Sequence, residues 1–187
     1  MRDDVAKQLE RSNEAFRNIV WPRMRALSLV GGGRLISVES VTAEGMARDL
    51  DALAGVDFWI VYEGRGMRAV ANRVQWPDPP RAWNTFTFRT SGKIESPMEW
   101  EKRVLAMMGD YQHPHLTIQA YLREADSSFM SAAVAKTTDV VSYVMREKDK
   151  LDSGICRRIN PADGHLFLAV EWVALEAAGI EIQWESA

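Results

Sequence analysis

The chain has 187 residues, 47% hydrophobic and 26% charged, with 23 basic against 26 acidic residues. This size and balance supply enough apolar surface for a single packed domain, which excludes disorder, collagen and coiled coil as descriptions of the whole. The net charge of −3 excludes a generally basic nucleic-acid coat and leaves room for a local basic face.

Residues 4–29 have a helical pattern: Val5, Leu9, Phe16, Ile19, Val20 and Met24 recur at helical spacing with charges between them. Pro22 predicts a kink or break near Val20 or Trp21, and the Gly31-Gly32-Gly33 run predicts the end. Arg34–Val41 has the pattern of a first strand. Asp57–Tyr62 (DFWIVY) and Met67–Trp76 (MRAVANRVQW), separated by Glu63-Gly64-Arg65-Gly66, predict a hairpin that Pro77, Pro79 and Pro80 terminate. Thr85–Arg89 alternates polar and aromatic residues, as a half-buried strand does.

Ser96-Pro97-Met98-Glu99 has the form of a helix start, with Ser at the cap and Glu three residues on. That helix is expected to run to about Met108 and to bury Trp100, Val104, Leu105 and Met108. His115–Leu122 predicts another strand; Ser131–Val144 is ambiguous, with Ala132–Ala135 suited to the close of a strand and Thr138–Met145 to a helix. Residues 146–164 are polar and predict a surface connection, His165–Ala178 a helix and Ile180–Trp184 a last strand. The expected fold is α/β, a mixed central sheet flanked by helices. It forms one domain, with a core over about 5–145 and a C-terminal helix and strand extension over about 146–187.

Cys156 is the only cysteine, so an intrachain disulfide and a four-thiolate zinc site are both excluded. No apolar run reaches the roughly 18 residues of a membrane span, and MRDDVAKQLERSNEAF lacks the apolar centre of a secretory signal. The expected location is the cytoplasm, of a bacterium or of a virus-infected cell.

The most informative segment is Leu50–Trp76. Asp57 opens one strand of the hairpin, and Arg73 and Gln75, two apart on the other, share a face of the sheet. This arrangement resembles the PD-(D/E)XK nuclease-like superfamily over about residues 5–122, on the order of a leading helix, an Asp-bearing strand, a second motif-bearing strand, a helix and a strand. The resemblance implies a restriction-endonuclease-like core and a Mg²⁺-dependent phosphodiester nuclease, since a hard cation takes carboxylate oxygens and supplies hydroxide near neutral pH. It makes Asp57 the first metal-binding acid, with Glu39 or Glu14 as displaced carboxylates. Arg73 stands where the family has its second acid, and Gln75 where it has its lysine. In an active enzyme Gln75 orients water or phosphate and Arg73 neutralises phosphate charge.

Those departures admit a catalytically altered relative that still binds DNA or RNA. Asp57 also suits a turn or cap, Arg73 and Gln75 a solvated strand face, and Arg73 an ion pair with Asp57. Trp59, Trp76, Trp83, Phe86 and Phe88, interleaved with Arg68, Arg73, Arg81 and Arg89, suit base stacking and phosphate contact, or else core and interface packing. The rival function is a non-enzymatic protein-interaction module of phage, plasmid or host-defence type, with a protein partner or a second copy. His113 and His115 lack a third metal ligand at a recognisable spacing. Cys156, beside Arg157 and Arg158, lacks a catalytic signature, and Gly31–Gly33 lacks the Lys-Ser/Thr ending of a phosphate loop.

Overall fold

The computed structural model describes residues 2–41, 45–46, 50, 54–91, 98–109, 111–160 and 164–187. The chain opens with α1 (Arg2–Ala15), a π-helical turn (Phe16–Val20) and α2 (Trp21–Met24). Pro22 does not break this helix. The Trp21 N–H reaches back five residues to the Phe16 carbonyl. The widened turn leaves Pro22 in the first turn of α2, where its missing N–H costs nothing. Phe16, Val20 and Met24, four apart, are fully buried, and the Phe16 ring stacks on Phe58 with centroids 5.0 Å apart. Leu9, expected on the same stripe, is exposed. The Val5 side chain lies outside the described residues.

The strands are β1 (Arg34–Ser37), β2 (Phe58–Tyr62), β3 (Gly66–Gln75), β4 (Thr85–Arg89), β5 (Leu116–Leu122), β6 (Phe129–Lys136), β7 (Ile155–Ile159), β8 (Leu166–Glu171) and β9 (Ile182–Ser186). The further helices given bounds among the described residues are α3 (Val38–Val41), α4 (Glu99–Met108), α5 (Thr137–Glu147) and α6 (Trp172–Ala177). Six strands form a mixed sheet in the order β1-β2-β3-β5-β6-β9, and three form a second sheet in the order β4-β8-β7. Among the described residues only β3 and β5 pair in parallel. A parallel pair needs a crossover, and the segment carrying β4 and α4 provides it.

Alternation along β3 divides its side chains between two cores. Val70 and Val74 pack under the leading helix with Phe58, Ile60, Leu116 and Ile118. Ala71, Arg73 and Gln75 take the opposite face, where Phe86, Phe88, Leu168 and Val170 of the second sheet meet Tyr121, Ala133 and Ala135. Helices α5 and α6 complete this second core through Val140, Val144, Trp172 and Leu175. The α/β class and the mixed central sheet therefore hold. One flank, however, is largely a second sheet, and Thr85–Arg89 belongs to that sheet.

Several expectations need correcting. Strand β1 stops at Ser37, so the backbone of Glu39 lies on the short helix α3. His165–Ala178 divides into β8 and α6, because Leu166–Glu171 is hydrogen-bonded on both edges, by β4 and β7. A short apolar run looks the same to periodicity in either state, and tertiary pairing decides. The polar stretch 146–164 contains β7, an edge strand whose exposed residues leave no alternation to read. Residues 146–187 thus supply strands to both sheets and are not an appendage.

Helix α4 also differs from expectation. Glu101 takes the capping role, accepting the Met98 N–H at 3.0 Å, while Ser96 and Pro97 lie outside the described residues. The helix is turned so that Arg103 is buried and donates to the carbonyls of Ala54 and Gly55 at 2.8 and 3.1 Å. That rotation leaves Leu105 and Met108 at 57% and 75% exposure, where burial was expected. Among the described residues no helix is long and apolar enough to cross a membrane.

Candidate functional site

The β2–β3 hairpin forms as expected, with Phe58 opposite Val70 and Tyr62 opposite Gly66. Asp57 lies just before β2, where the ladder ends. Its Oδ2 accepts the Asn72 N–H at 2.7 Å, and its own N–H donates to the Val70 carbonyl at 3.0 Å. The Asp57 carbonyl accepts the Val38 N–H at 3.2 Å. The carboxylate thus finishes the pairing of β3 at the point where β2 no longer can.

Arg73 sits at the centre of a polar network between the two sheets. Its Nη2 pairs with Glu99 Oε2 at 3.0 Å, with side-chain exposures of 23% and 28%. Its Nη1 donates to the carbonyl and the hydroxyl of Thr87 at 3.1 and 3.0 Å. The Thr87 hydroxyl donates in turn to Gln119 Oε1 at 3.1 Å, and the register puts Gln119 beside Arg73. Glu99 opens α4, where a carboxylate is favoured by the helix dipole, and it also accepts the Arg89 N–H at 3.3 Å. The Phe167 ring lies under both guanidiniums, 5.3 Å from Arg73 and 5.7 Å from Arg89. Strand alternation brings β3, β4, β5 and β8 to this point, and the first residue of α4 closes it.

The residues singled out from the sequence do not all converge. Arg73 and Arg89 meet through Glu99 and Phe167. Gln75 pairs with Tyr121, three residues beyond Asn72. At about 3.3 Å per residue that is about 10 Å along the strand from the atom Asp57 binds. Sequence had placed Asp57 and Gln75 together, but β3 is twice the length of β2 and runs past it. Glu14 is exposed on the leading helix, which packs on the face opposite Arg73. Arg68 donates to the Leu29 carbonyl at 3.0 Å and lies over Tyr62.

The side chain of Glu39 lies outside the described residues. The described positions do not fit a divalent cation. One oxygen of Asp57 is taken by a backbone N–H, and a guanidinium stands in the second acid's place. Among the described residues no group of three His, Cys, Asp or Glu side chains could hold an ion. His115 instead accepts the Ala69 N–H on Nδ1 at 3.0 Å, and burial, then the neighbouring His113 and Arg68, push its pKa down. The Cys156 thiol accepts a contact from Arg158 Nε at 3.2 Å.

The aromatic set also divides. Phe86 and Phe88 are core residues, Trp59 packs in a small cluster with Val38, Val56 and Ala69, and Trp76 packs on the main core and donates to Ser127. Trp83 alone of the five stays well exposed, at 43%, with the guanidiniums of Arg81 and Arg158 at 5.0 and 5.2 Å from its ring. Glu99, Thr87, Gln119 and Phe167 escaped the sequence reading. Only Glu99 had a signal, since a second glutamate, Glu101, stood ready to take the cap. Searches against protein-family models, curated proteins and solved structures find no match to this chain, so its site stands on its own geometry.

Proposed function

We infer that this chain is a catalytically altered, nuclease-like protein that binds single-stranded nucleic acid without cutting it. The observation that carries the reading is Trp83, an exposed indole bordered by Arg81 and Arg158. A base stacking on Trp83 displaces one guanidinium, which then meets the adjacent phosphate. The order of a leading helix, a three-strand meander, a helical crossover and a parallel strand supports the nuclease-like part. The pairing of Arg73 with Glu99, in the second acid's place, speaks for lost cleavage.

The test is binding of labelled single-stranded DNA and RNA in EDTA, followed by incubation with Mg²⁺ or Mn²⁺. Binding that weakens in Trp83→Ala, with no metal-dependent cleavage, is the expected result. Cleavage that Asp57→Ala abolishes would replace this reading with an active nuclease. A specific observation favours a second reading, a protein-interaction module. Leu105, Met108 and Tyr111 are 57%, 75% and 70% exposed at one end of α4. Absence of nucleic-acid binding, together with self-association that Met108→Glu disrupts, would favour that reading.

A further inference from the structure

A cleft of about 640 Å³ opens beside edge strand β1, lined by Arg25, Gly31, Gly33, Arg34, Val61, Tyr62, Glu63 and Arg65. Three parts of the chain meet there: the end of the leading helix, the glycine run that enters β1, and the β2–β3 turn. The glycines allow this approach. Gly31, Gly32 and Gly33 have φ of 74°, 79° and 89°, a left-handed path that other residues resist. A Cβ at Gly33 would lie 2.5 Å from Ile60 Cγ2, so the turn passes directly over β2. The Gly32 N–H donates to the Arg25 carbonyl at 2.9 Å, and the Tyr62 hydroxyl donates to the Val30 carbonyl, which ties the turn to both walls.

The charge in this cleft differs from that of the whole chain. The protein is net acidic, yet three arginines face one glutamate here. Among the described residues, Arg25, Arg34 and Arg65 form no ion pair, whereas Arg11, Arg23, Arg73, Arg146 and Arg157 each do. Three guanidiniums against the single carboxylate of Glu63 leave the cleft lining net positive, which favours an anion. A phosphate monoester carries close to two negative charges and matches the guanidinium fork. The volume lies in the range of small-ligand sites and exceeds what a phosphate alone fills.

We propose that this cleft binds the phosphate of a nucleotide-sized ester, held by Arg25, Arg34 and Arg65. The phosphate belongs either to a free nucleotide or to the 5′ end of a strand. The site is separate from Trp83 and does not depend on it. Calorimetric titration of the full chain with adenosine 5′-monophosphate, with adenosine, and with short oligonucleotides bearing or lacking a 5′ phosphate tests it. The expected result is that adenosine 5′-monophosphate binds where adenosine does not, and that a 5′ phosphate tightens oligonucleotide binding beyond what Trp83 supplies, both effects weakening as salt is raised. Arg65→Gln should weaken that binding about tenfold, the loss of one charged hydrogen bond. Arg25→Gln with Arg65→Gln should weaken it further, with an unchanged melting temperature because both side chains are exposed. Trp83→Ala should leave nucleotide binding intact, so failure of one site is told apart from failure of the other. A larger gain from the phosphate in the strand than in the mononucleotide assigns the strand end, and a larger gain in the mononucleotide assigns the free ligand. Equal binding of adenosine and its monophosphate, no binding of either phosphorylated ligand, or unchanged affinity in the double variant would overturn the proposal.

Discussion

Arg73 and Arg34 stand on strands of the same sheet, yet their surroundings differ. Arg73 lies between two sheets, where a glutamate, a threonine and a phenyl ring engage its guanidinium. Arg34 stands on the edge strand, exposed, with two further arginines, and among the described residues no carboxylate pairs with any of them. A satisfied arginine is part of the fold, and removing it exposes the costs of its partners. An unsatisfied arginine contributes little to folding and keeps its hydrogen-bonding capacity for a ligand. Residue type is the same in both places, and only the neighbours differ.

Substitutions can break this comparison at either end. The largest effect is expected from Gly33→Ala, which forces a Cβ against Ile60 and to 3.1 Å from the Val61 carbonyl at a φ of 89°. A loss of about 3 kcal/mol, from left-handed strain and overpacking, should appear in urea denaturation. A variant as stable as the wild type would mean that the glycine turn is not pressed onto β2.

Arg73→Ala should cost about 2 kcal/mol, because Glu99 and the Thr87 carbonyl lose a charged donor in a partly buried setting. Arg34→Ala, at the exposed edge, should stay within about 0.5 kcal/mol by the same assay. Equal losses at the two positions would erase the distinction between a structural and a free arginine. Trp83→Ala should leave the melting curve in place and weaken single-strand binding by about 1 to 2 kcal/mol, the contribution of one stacked base.

The smallest effect concerns pH. His115 has a lowered pKa because burial, and then the charges of His113 and Arg68, disfavour its protonated form. The native state therefore takes up this proton less readily than the unfolded chain. Its contribution is full above the ordinary value of 6.5 and is lost as pH falls through the lowered native value. Melting temperatures followed downward from neutral pH should fall more steeply for the wild type than for His115→Asn. Parallel curves would show that the Ala69 contact does not sense protonation.

Much of the chain was legible because its elements carry their own signals. The hairpin could be read from two apolar runs around Glu63-Gly64-Arg65-Gly66, and the Phe16, Val20, Met24 stripe marks the buried face of the leading helix. At Pro22 the expected irregularity takes the form of a π-helical turn between α1 and α2, through which the chain stays helical. Leu105 and Met108 misled because buried Arg103, held by two carbonyls, decides which way α4 faces. Of the candidate site, Arg73 was found and Glu99 was assigned to a different task. Thr87, Gln119 and Phe167 reach Arg73 from three separate strands and left no local pattern.

The sequence by itself indicated the α/β class, the β2–β3 hairpin and the buried stripe of the leading helix, although that helix ends at Met24, before the glycine run. These follow from backbone preferences and short-range periodicity, which act within a few residues. Tertiary structure alone decided that β4, β8 and β7 form a sheet of their own, and that β9 pairs with β6. It also decided that Arg73 pairs with Glu99 while Arg25, Arg34 and Arg65 pair with no carboxylate among the described residues. Those outcomes depend on which strands pair and which faces meet. Pairing is set by burial summed over the whole chain, so no local stretch of residues encodes it.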